Sequence, residues 1–307
     1  MNYNKIPGTD IEVSELCLGS MTFGSPVEEK DAIDLIRYAK EEYGINFIDT
    51  ANMYEGYRRT AGSAGGVAEN IIGKATSAKR HDYVIASKVG MKVGDRPEDQ
   101  FTSPDAIRIQ VRKSLKRLKT DYIDVYYLHC YDPHTPPEEI LYAIDKELKA
   151  GTIRAWGVSN YTFDQLKTLL ETAENENIKF PSLVQPPLSL LKQDSLKNII
   201  PYCEEKQIAV VPYQILQGGL LTGKYKQNQT IPEHSRMAEK PEWMNPLSDE
   251  TADVLQQVRR QADKENLSMT QYSIRWVLSQ AAVISAIIGV KNKMMRQHRQ
   301  YPNKISL

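Results

Sequence analysis

The sequence predicts an α/β protein, a (β/α)8 TIM barrel with an N-terminal β-hairpin lid. The first observation is a repeated unit in which a short apolar strand precedes an amphipathic helix. The second is that eight such strands occur, the number that closes a barrel of this kind. The third is that most strands are apolar throughout, which is typical of a parallel sheet covered by helices. We expect residues 1–307 to form one domain.

The predicted elements follow one another along nearly the whole chain. Residues 3–15 alternate weakly around a Pro7-Gly8 turn signal, which indicates a short hairpin over one end of the barrel. Strands are predicted at Glu15–Ser20, Ile45–Ala51, Tyr83–Val89, Tyr122–His129, Ile153–Asn160, Ser182–Leu188, Ile208–Gln214 and Ser285–Val290. Helices are predicted at Lys30–Glu42, Ala68–Ala75, Pro104–Leu118, Pro137–Ala150, Phe163–Glu174, Asp194–Lys206 and Asp249–Ser279. We expect the last of these stretches to comprise two helices.

Helix ends and one long loop agree with this order. Pro104 and Pro137 stand in the first turn of their helices, where a backbone N–H is not needed. Gly44 and Gly151 stand where a helix stops. The longest excursion, Lys224–Leu247, is polar and follows strand seven. It therefore belongs to the C-terminal face of the barrel, where active sites are built.

Composition excludes several classes of function. The chain has 39 Lys plus Arg and 39 Asp plus Glu, so nothing indicates binding to nucleic acid or to an anionic membrane. No apolar run approaches the roughly 20 residues of a membrane span, and the first residues lack the apolar core of a signal peptide. Cys17, Cys130 and Cys203 are an odd number set far apart, which fits a reducing compartment. The expected location is the cytoplasm.

Polar residues close six of the predicted strands, although core packing does not require them. They are Asp49, Lys88, His129, the pair Ser159-Asn160, Gln185 and Tyr213. In a barrel the ends of the strands meet at one face. Each residue alone has an ordinary explanation, such as a solvated lysine or a hydrogen-bonded structural histidine. Together they predict a functional site.

The carboxylate of Asp49 points to proton-transfer chemistry. An unpaired charge at the end of a buried strand is costly, so Asp49 needs a partner, and Lys88 is the nearest strand-end cation. Tyr54 follows five residues after Asp49, and an adjacent ammonium brings the pKa of a phenol toward working pH. His129 could then donate to a substrate carbonyl or orient it. Such a site moves protons but carries no hydride, metal or nucleophile of its own.

A cofactor that brings electrons is indicated by the remaining strand ends. The Ser159-Asn160 pair and Gln185 are suited to hold a carboxamide, and Tyr213 offers a ring face to a flat heterocycle. The loop Gln217-Gly218-Gly219-Leu220 allows the backbone to approach a pyrophosphate closely. Lys291 could meet an additional phosphate.

Five motifs carry a resemblance to a known family. They are Phe47-Ile48-Asp49-Thr50-Ala51-x-x-Tyr54; Ala86-Ser87-Lys88; Ser114-Leu115-x-Arg117-Leu118-x-x-Asp121-Tyr122-Ile123-Asp124 leading to Leu128-His129; Ile153-Arg154-x-x-Gly157-Val158-Ser159-Asn160; and Gly219-Leu220-Leu221-Thr222-Gly223-Lys224-Tyr225. From about Ile6 to Asn292 the chain resembles the aldo-keto reductases, closest in pattern to their long-loop bacterial and potassium-channel β-subunit-like branches.

The resemblance implies an NADP-dependent oxidoreductase that reduces an aldehyde or ketone to an alcohol. It implies a catalytic tetrad of Asp49, Tyr54, Lys88 and His129, with Tyr54 as general acid and no metal. NADPH is expected to lie extended across the barrel mouth. Its contacts are expected from Gly19, Met21, Thr22, Asp49, Ser159, Asn160, Gln185, Tyr213, Gln214, Leu216, Gly218, Gly219, Lys224, Gly289, Lys291 and Arg296. The substrate is expected to be a small-molecule carbonyl compound, and the protein a monomer or a weak homo-oligomer.

The chain departs from the family pattern in three places. Leu188 replaces a usual aromatic residue after the strand-six glutamine, and Thr152 stands where lysine is common. The residues after Asn292 lack the Gln…Glu-Asn pattern that holds the adenine end of the cofactor. Arg296 could still reach a 2′-phosphate. We therefore expect weaker or less discriminating cofactor binding.

Several alternatives remain open at the level of sequence. A doubly wound sheet would carry a Gly-x-Gly-x-x-Gly turn, but residues 19–24 have two of its three glycines. A Schiff-base lyase could use Lys88 as nucleophile, and a cofactor-binding regulatory subunit would show little turnover. A P-loop at residues 218–224 is disfavoured by Tyr225, which stands in the magnesium-binding position. Residues 62–66 are expected to form a flexible loop beside the substrate mouth. Arg58 and Arg59 in the same loop are expected to be exposed and solvated, with preference for an acidic substrate as the alternative.

Overall fold

The computed structural model describes residues 1–60, 62–226, 230–244 and 247–291. An antiparallel hairpin of β1 (Tyr3–Lys5) and β2 (Glu12–Ser14) precedes a sheet of eight parallel strands. Those strands are β3 (Leu16–Gly19), β4 (Phe47–Asp49), β5 (Val84–Val89), β6 (Ile123–Leu128), β7 (Ile153–Ser159), β8 (Leu183–Gln185), β9 (Ala209–Val210) and β10 (Ala286–Gly289). Each falls within a strand predicted from the sequence.

Hydrogen bonds connect the two ends of this sheet and close it into a barrel. The order is β10-β3-β4-β5-β6-β7-β8-β9, so consecutive strands are neighbours. Beyond β9, Val210 N donates to Ala282 O (2.8 Å) and Ile287 N donates to Pro212 O (3.0 Å). The (β/α)8 class is confirmed, and the doubly wound alternative is wrong. The hairpin closes one end of the barrel, since Ile6 and Val13 pack in the same core cluster as Cys17 and Phe47.

Both faces of the strands are buried, which explains their continuous apolar sequence. Inward side chains form one cluster that includes Phe47, Ala86, Tyr127 and Leu183. Outward side chains pack against the helices in a second cluster. Because side chains alternate along a strand, the next inward position on each strand lies two residues further on. Those positions are Asp49, Lys88, His129 and Gln185.

Except for α7, which lies in the stretch 224–247 expected to be a loop, the helices of the described residues lie close to their predicted positions. They are α1 (Glu29–Tyr43), α2 (Val67–Thr76), α3 (Pro104–Leu118), α4 (Pro137–Lys149), α5 (Phe163–Asn175), α6 (Ile199–Glu205), α7 (Arg236–Glu239), α8 (Asp249–Lys264) and α9 (Met269–Leu278). Helix α3 begins as predicted, because Ser103 Oγ accepts a bond from Ala106 N (3.3 Å) before Pro104. The predicted helix at 194–206 is instead a short 3₁₀ turn, Asp194–Leu196, followed by α6. No helix among the described residues is long and apolar enough to cross a membrane.

A buried ion pair joins two helices to the barrel behind the site. Glu69 on α2 is fully buried, and Arg117 Nη1 on α3 lies 2.9 Å from its Oε2 atom. Ser87 Oγ on β5 donates to the other carboxylate oxygen at 2.5 Å. The carboxylate therefore connects α2, α3 and the strand that carries Lys88.

We predict that Arg117→Met destabilises the fold by about 3 kcal/mol, because it leaves the Glu69 carboxylate buried without its cation. Arg108→Met is the matched control, since this arginine of the same helix pairs with Asp105 at the surface. Urea unfolding measures both changes. Equal stability of the two variants would contradict the structural role of the Glu69–Arg117 pair.

Candidate active site

The ammonium of Lys88 lies at the centre of the polar cluster at the C-terminal mouth of the barrel. Its Nζ atom donates to Asp49 Oδ2 (2.6 Å), to the carbonyl of Thr50 (2.9 Å) and to Tyr54 Oη (3.2 Å). The Lys88 side chain is fully buried and that of Asp49 is nearly so. An ammonium has three N–H donors, so these three acceptors use all of them. The ammonium is therefore held in one position, with each N–H directed at an acceptor.

Tyr54 receives a hydrogen bond from Lys88, and this determines where its own proton can go. The Oη atom accepts from Nζ, so its O–H is left to donate elsewhere. The backbone of Tyr54 is held by Ala51, whose carbonyl accepts the Tyr54 N–H (3.1 Å), and by Ala68 N, which donates to Tyr54 O (3.0 Å). These two bonds fix the backbone that carries the phenol.

The expectation that the pKa of Tyr54 is brought toward neutrality is wrong for this structure. Burial raises the pKa of Tyr54 above its ordinary value, and the opposing effect of Lys88 does not overcome it. The charge of Asp49 raises it further. The sequence identified the effect of the cation but not the larger effect of desolvation. At neutral pH the phenol therefore carries its proton.

Lys88 remains charged despite its burial. Burial favours the neutral amine, but the neighbouring Asp49 and Tyr54 outweigh it and raise the pKa of Lys88. A Schiff-base nucleophile needs a neutral, accessible amine. This geometry therefore disfavours the lyase alternative.

His129 faces Tyr54 across the mouth. The ring centroids are 5.9 Å apart with planes at 78°. Burial, together with the charges of Lys88 and Arg59, lowers the pKa of His129 well below its ordinary value, so the imidazole is neutral. The Nδ1 atom is buried without a hydrogen-bond partner among the described residues. A neutral imidazole can orient a carbonyl oxygen through one N–H.

Amide and hydroxyl groups surround this centre on the following strands. Asn160 has φ of 60° and donates through Nδ2 to His129 O (2.8 Å), while Tyr213 Oη donates to Asn160 Oδ1 (2.6 Å). Ser159 Oγ donates to Gln185 O (3.0 Å). Gln185 Nε2 donates to Asp49 Oδ1 (2.8 Å). The three predicted carboxamide-binding residues and Tyr213 therefore meet beside the proton-transfer groups.

The other predicted cofactor residues lie around the same mouth. Gly19 is in register with Asp49 on one side and with Gly289 on the other. Met21 and Thr22 follow directly, and Thr22 Oγ1 donates to Val290 O (3.2 Å). Gln214 is exposed, and Leu216 is half-buried. These residues form an arc from the first barrel strand to the last.

The turn at Gly218 and Gly219 leaves no room for a side chain at either residue. Gly218 and Gly219 adopt φ of 62° and 98°, which glycine accepts readily. A Cβ at residue 218 would lie 2.3 Å from Met244 Sδ, so the segment around α7 packs directly on this turn. The exposed amide of Asn160, the half-buried ring of Tyr213 and this bare backbone fit the carboxamide, heterocycle and pyrophosphate of a nicotinamide dinucleotide.

The cations predicted to contact the cofactor differ in their surroundings. Lys224 is exposed. Lys291 Nζ donates to His234 O (3.0 Å) and pairs with Glu239 Oε2, so its charge is neutralised within the chain. Arg296 lies outside the described residues.

Two contributors to the site were missed in the sequence. The carbonyl of Thr50 is the third acceptor of Lys88, and no sequence signal identifies such a backbone group. Arg59 is not an exposed arginine, because it donates to the carbonyls of Met53 (2.7 Å) and Lys92, and its charge acts on His129. Its position five residues after Tyr54 was the only available signal.

The described part of the chain holds no group of three potential metal ligands.

Comparison with known proteins agrees with this architecture. The aldo/keto reductase family matches residues 15–298. The chain is 32% identical to "Aldo-keto reductase YhdN" of Bacillus subtilis (strain 168), over 95% of this chain and 85% of that protein. It is 30% identical to "Probable voltage-gated potassium channel subunit beta" of Arabidopsis thaliana, over 97% and 89%.

A solved structure is similar throughout. The glycerol dehydrogenase AKR11B4 from Gluconobacter oxydans superposes with a TM-score of 0.78 at 30% identity, covering 94% of this chain and 86% of that one. The alignments extend over nearly the whole chain in sequence and in structure. The chain therefore belongs to the aldo/keto reductase family.

Proposed function

We propose that this protein reduces an aldehyde or ketone to an alcohol with a nicotinamide cofactor, NADPH in the first instance. The observation that carries the proposal is the position of Lys88 Nζ, 2.6 Å from Asp49 Oδ2 and 3.2 Å from Tyr54 Oη. This arrangement supplies one proton and a means to stabilise the charge left behind. Membership of the family supports the reaction class.

Tyr54 is the general acid of the proposed reaction. A carbonyl oxygen becomes basic as its carbon is reduced, and an alkoxide is a stronger base than a phenolate. A phenol with a raised pKa is therefore still acidic enough to protonate it. Lys88 then stabilises the phenolate, and Asp49 keeps the ammonium charged and directed.

His129 orients the carbonyl oxygen toward Tyr54. Because the imidazole is neutral, it donates one hydrogen bond without adding a second cation next to Lys88. Asn160 holds the backbone of His129 and so connects the carbonyl-binding side of the mouth to the amide cluster.

The cofactor would be held by the arc of residues around the mouth. Ser159, Asn160 and Gln185 would hold the carboxamide, and Tyr213 would cover one face of the ring. When bound, the nicotinamide supplies the hydride. Gly218 and Gly219 would admit the pyrophosphate, with Lys224 as a cation nearby.

A second candidate is a cofactor-binding regulatory subunit. It is favoured by the similarity to proteins named as probable potassium-channel β subunits. A panel of carbonyl compounds with NADPH and NADH distinguishes the two candidates. Consumption of reduced cofactor supports the enzyme, whereas tight cofactor binding without turnover supports the regulatory subunit.

We predict that Tyr54→Phe lowers kcat by about 10² to 10⁴-fold, because the substrate oxygen loses its proton donor. The dissociation constant of NADPH should stay within about twofold, since the hydroxyl bonds to Lys88 and not to the expected cofactor contacts. Stopped-flow absorbance and fluorescence titration measure the two quantities. Tyr126→Phe serves as control, because it removes a buried hydroxyl on the side of β6 that faces the helices. Near-normal kcat in Tyr54→Phe would rule out this residue as the acid.

We predict that kcat/KM for reduction is level from about pH 7 to about pH 9, because Tyr54 stays protonated and His129 stays neutral there. The direction of the pH dependence follows from the pKa shifts of Tyr54 and His129. The pKa of Tyr54 is raised, so activity is lost only on the alkaline side, and the pKa of His129 is lowered, so no transition occurs near its ordinary value. A pH–rate profile with a steep change near neutrality would contradict this assignment.

We predict that Glu239→Gln strengthens NADPH binding by about two- to fivefold and leaves NADH binding unchanged, as expected for releasing one partly exposed ion pair. The carboxylate neutralises Lys291, which is expected to meet the additional phosphate. Glu242→Gln is the control, because this residue of the same segment pairs with Lys240 instead. An equal change in affinity for NADPH and NADH would show that Lys291 does not contact the additional phosphate.

A further inference from the structure

The loop that carries Tyr54 joins β4 to α2 and is largely irregular. Gly56, Gly65 and Gly66 adopt positive φ there. Such a loop is positioned by individual contacts rather than by a sheet or a helix. Its position matters, since Tyr54 Oη lies 3.2 Å from Lys88 Nζ and a hydrogen bond weakens when it lengthens. Contacts that hold this loop therefore decide whether the acid meets its ammonium.

The peptide unit that leads into Tyr54 is held at both of its polar atoms. Its N–H, which belongs to Tyr54, donates to Ala51 O (3.1 Å). Its carbonyl, which belongs to Met53, accepts a bond from Arg59 Nη1 at 2.7 Å. Because a peptide unit is planar, turning it would change φ of Tyr54 and swing the phenol. Arg59 therefore acts on the orientation of the acid through the carbonyl that precedes it.

The other terminal nitrogen of Arg59 reaches a different loop. Nη2 donates to the carbonyl of Lys92, which lies just after β5, the strand that carries Lys88. A guanidinium is a rigid plane with its donors in a fixed fork, so it holds the two carbonyls at a set separation. Its charge contributes, after burial and the charge of Lys88, to the lowered pKa of His129, which agrees with a place beside the mouth.

The surroundings of Arg59 commit it to these carbonyls. The carboxylate of Glu55 lies 3.9 Å away, which is too far for a hydrogen bond, and Ser63 Oγ lies at 3.5 Å. The Arg59 side chain is 21% exposed, whereas the neighbouring Arg58 is 73% exposed and pairs with Glu28. Removing a cation from water is costly, and charge-assisted bonds to two carbonyls offset this cost. The contact therefore differs from an ordinary surface arginine.

We propose that Arg59 is a positioning residue for Tyr54, because its fork joins the peptide before this acid to the loop after β5. The phenol oxygen is thereby kept within hydrogen-bond distance of Lys88 Nζ. This inference rests on the proposed function and adds to it a residue that acts through Tyr54 rather than on the substrate. It also accounts for a largely enclosed arginine in a loop whose other arginine, Arg58, is exposed.

The first test compares Arg59→Ala with Arg58→Ala, the exposed neighbour in the same loop. Steady-state kinetics with NADPH measure kcat, and fluorescence titration measures the NADPH dissociation constant. Arg59→Ala should lower kcat about 10- to 100-fold, because displacing the acid by about 1 Å is costly on this scale. The dissociation constant should stay within about twofold, since neither Met53 nor Lys92 is an expected cofactor contact. Arg58→Ala should match wild type, and wild-type kcat in Arg59→Ala would overturn the assignment.

The second test determines whether Arg59 acts through Tyr54. In a Tyr54→Phe background the hydroxyl that Arg59 positions is gone, so Arg59→Ala should lower the remaining kcat by less than about twofold. An arginine that only supports the fold would lower kcat by the same factor in both backgrounds. That result would overturn the positioning role even if Arg59→Ala by itself were slow.

The third test needs no cofactor and so separates this inference from the proposed function. Hydrogen exchange of the cofactor-free protein, followed by mass spectrometry, reports on the amides of residues 52–57. Arg59→Ala should speed their exchange about tenfold, because a charge-assisted bond to this segment is lost, and Arg58→Ala should leave it unchanged. Exchange as slow as in wild type would contradict the hold of Arg59 on the loop. If Arg59→Ala does not fold, Arg59→Lys takes its place in all three tests, because one ammonium nitrogen does not reproduce the fork.

The two proposals fail in different ways. If wild type consumes neither NADPH nor NADH with any carbonyl compound, the proposed function is wrong, and hydrogen exchange still decides whether Arg59 holds the loop. If wild type is active and Arg59→Ala keeps its kcat, the proposed function stands and the role of Arg59 is wrong.

Discussion

The ion pair between Asp49 and Lys88 is the interaction on which the whole mouth depends. Both side chains are almost completely removed from water, and a buried charge is stable only when it is paired and hydrogen-bonded. The ammonium meets this condition with three acceptors from β4 and the loop after it. Because none of its donors is spare, moving any one acceptor would leave part of the charge unpaired. The position of Tyr54 is therefore a consequence of neutralising a buried cation.

The same burial sets the protonation of the groups around the pair. Removal from water raises the pKa of Tyr54 and lowers the pKa of His129, so both remain neutral beside one compensated charge pair. A second cation on His129 would face Lys88 across the mouth. The site therefore combines a protonated acid, a neutral imidazole and a fixed ammonium.

The chain itself neutralises many of the charges around the mouth. Arg59 donates to backbone carbonyls and lies 3.9 Å from Glu55, Lys291 pairs with Glu239 in the α7 segment, and Arg117 pairs with Glu69 behind β5. These contacts tie the loops and helices to the strands that carry the acid and its ammonium. They also determine which cations remain available to an anionic ligand, and of the two predicted cofactor-binding lysines that the structure describes, Lys224 is the exposed one.

The sequence alone determined the elements and the types of side chain at the strand ends. Apolar runs identify strands because both faces are buried, and the two-residue period extends from Phe47 to Asp49 and from Ala86 to Lys88. It could not determine that Gln185 binds Asp49 over a separation of 136 residues or that Arg59 donates to backbone carbonyls. It also predicted the wrong direction for the pKa of Tyr54. Distances between remote strands and the loss of water around a group arise only when the barrel closes, so the tertiary structure alone decided them.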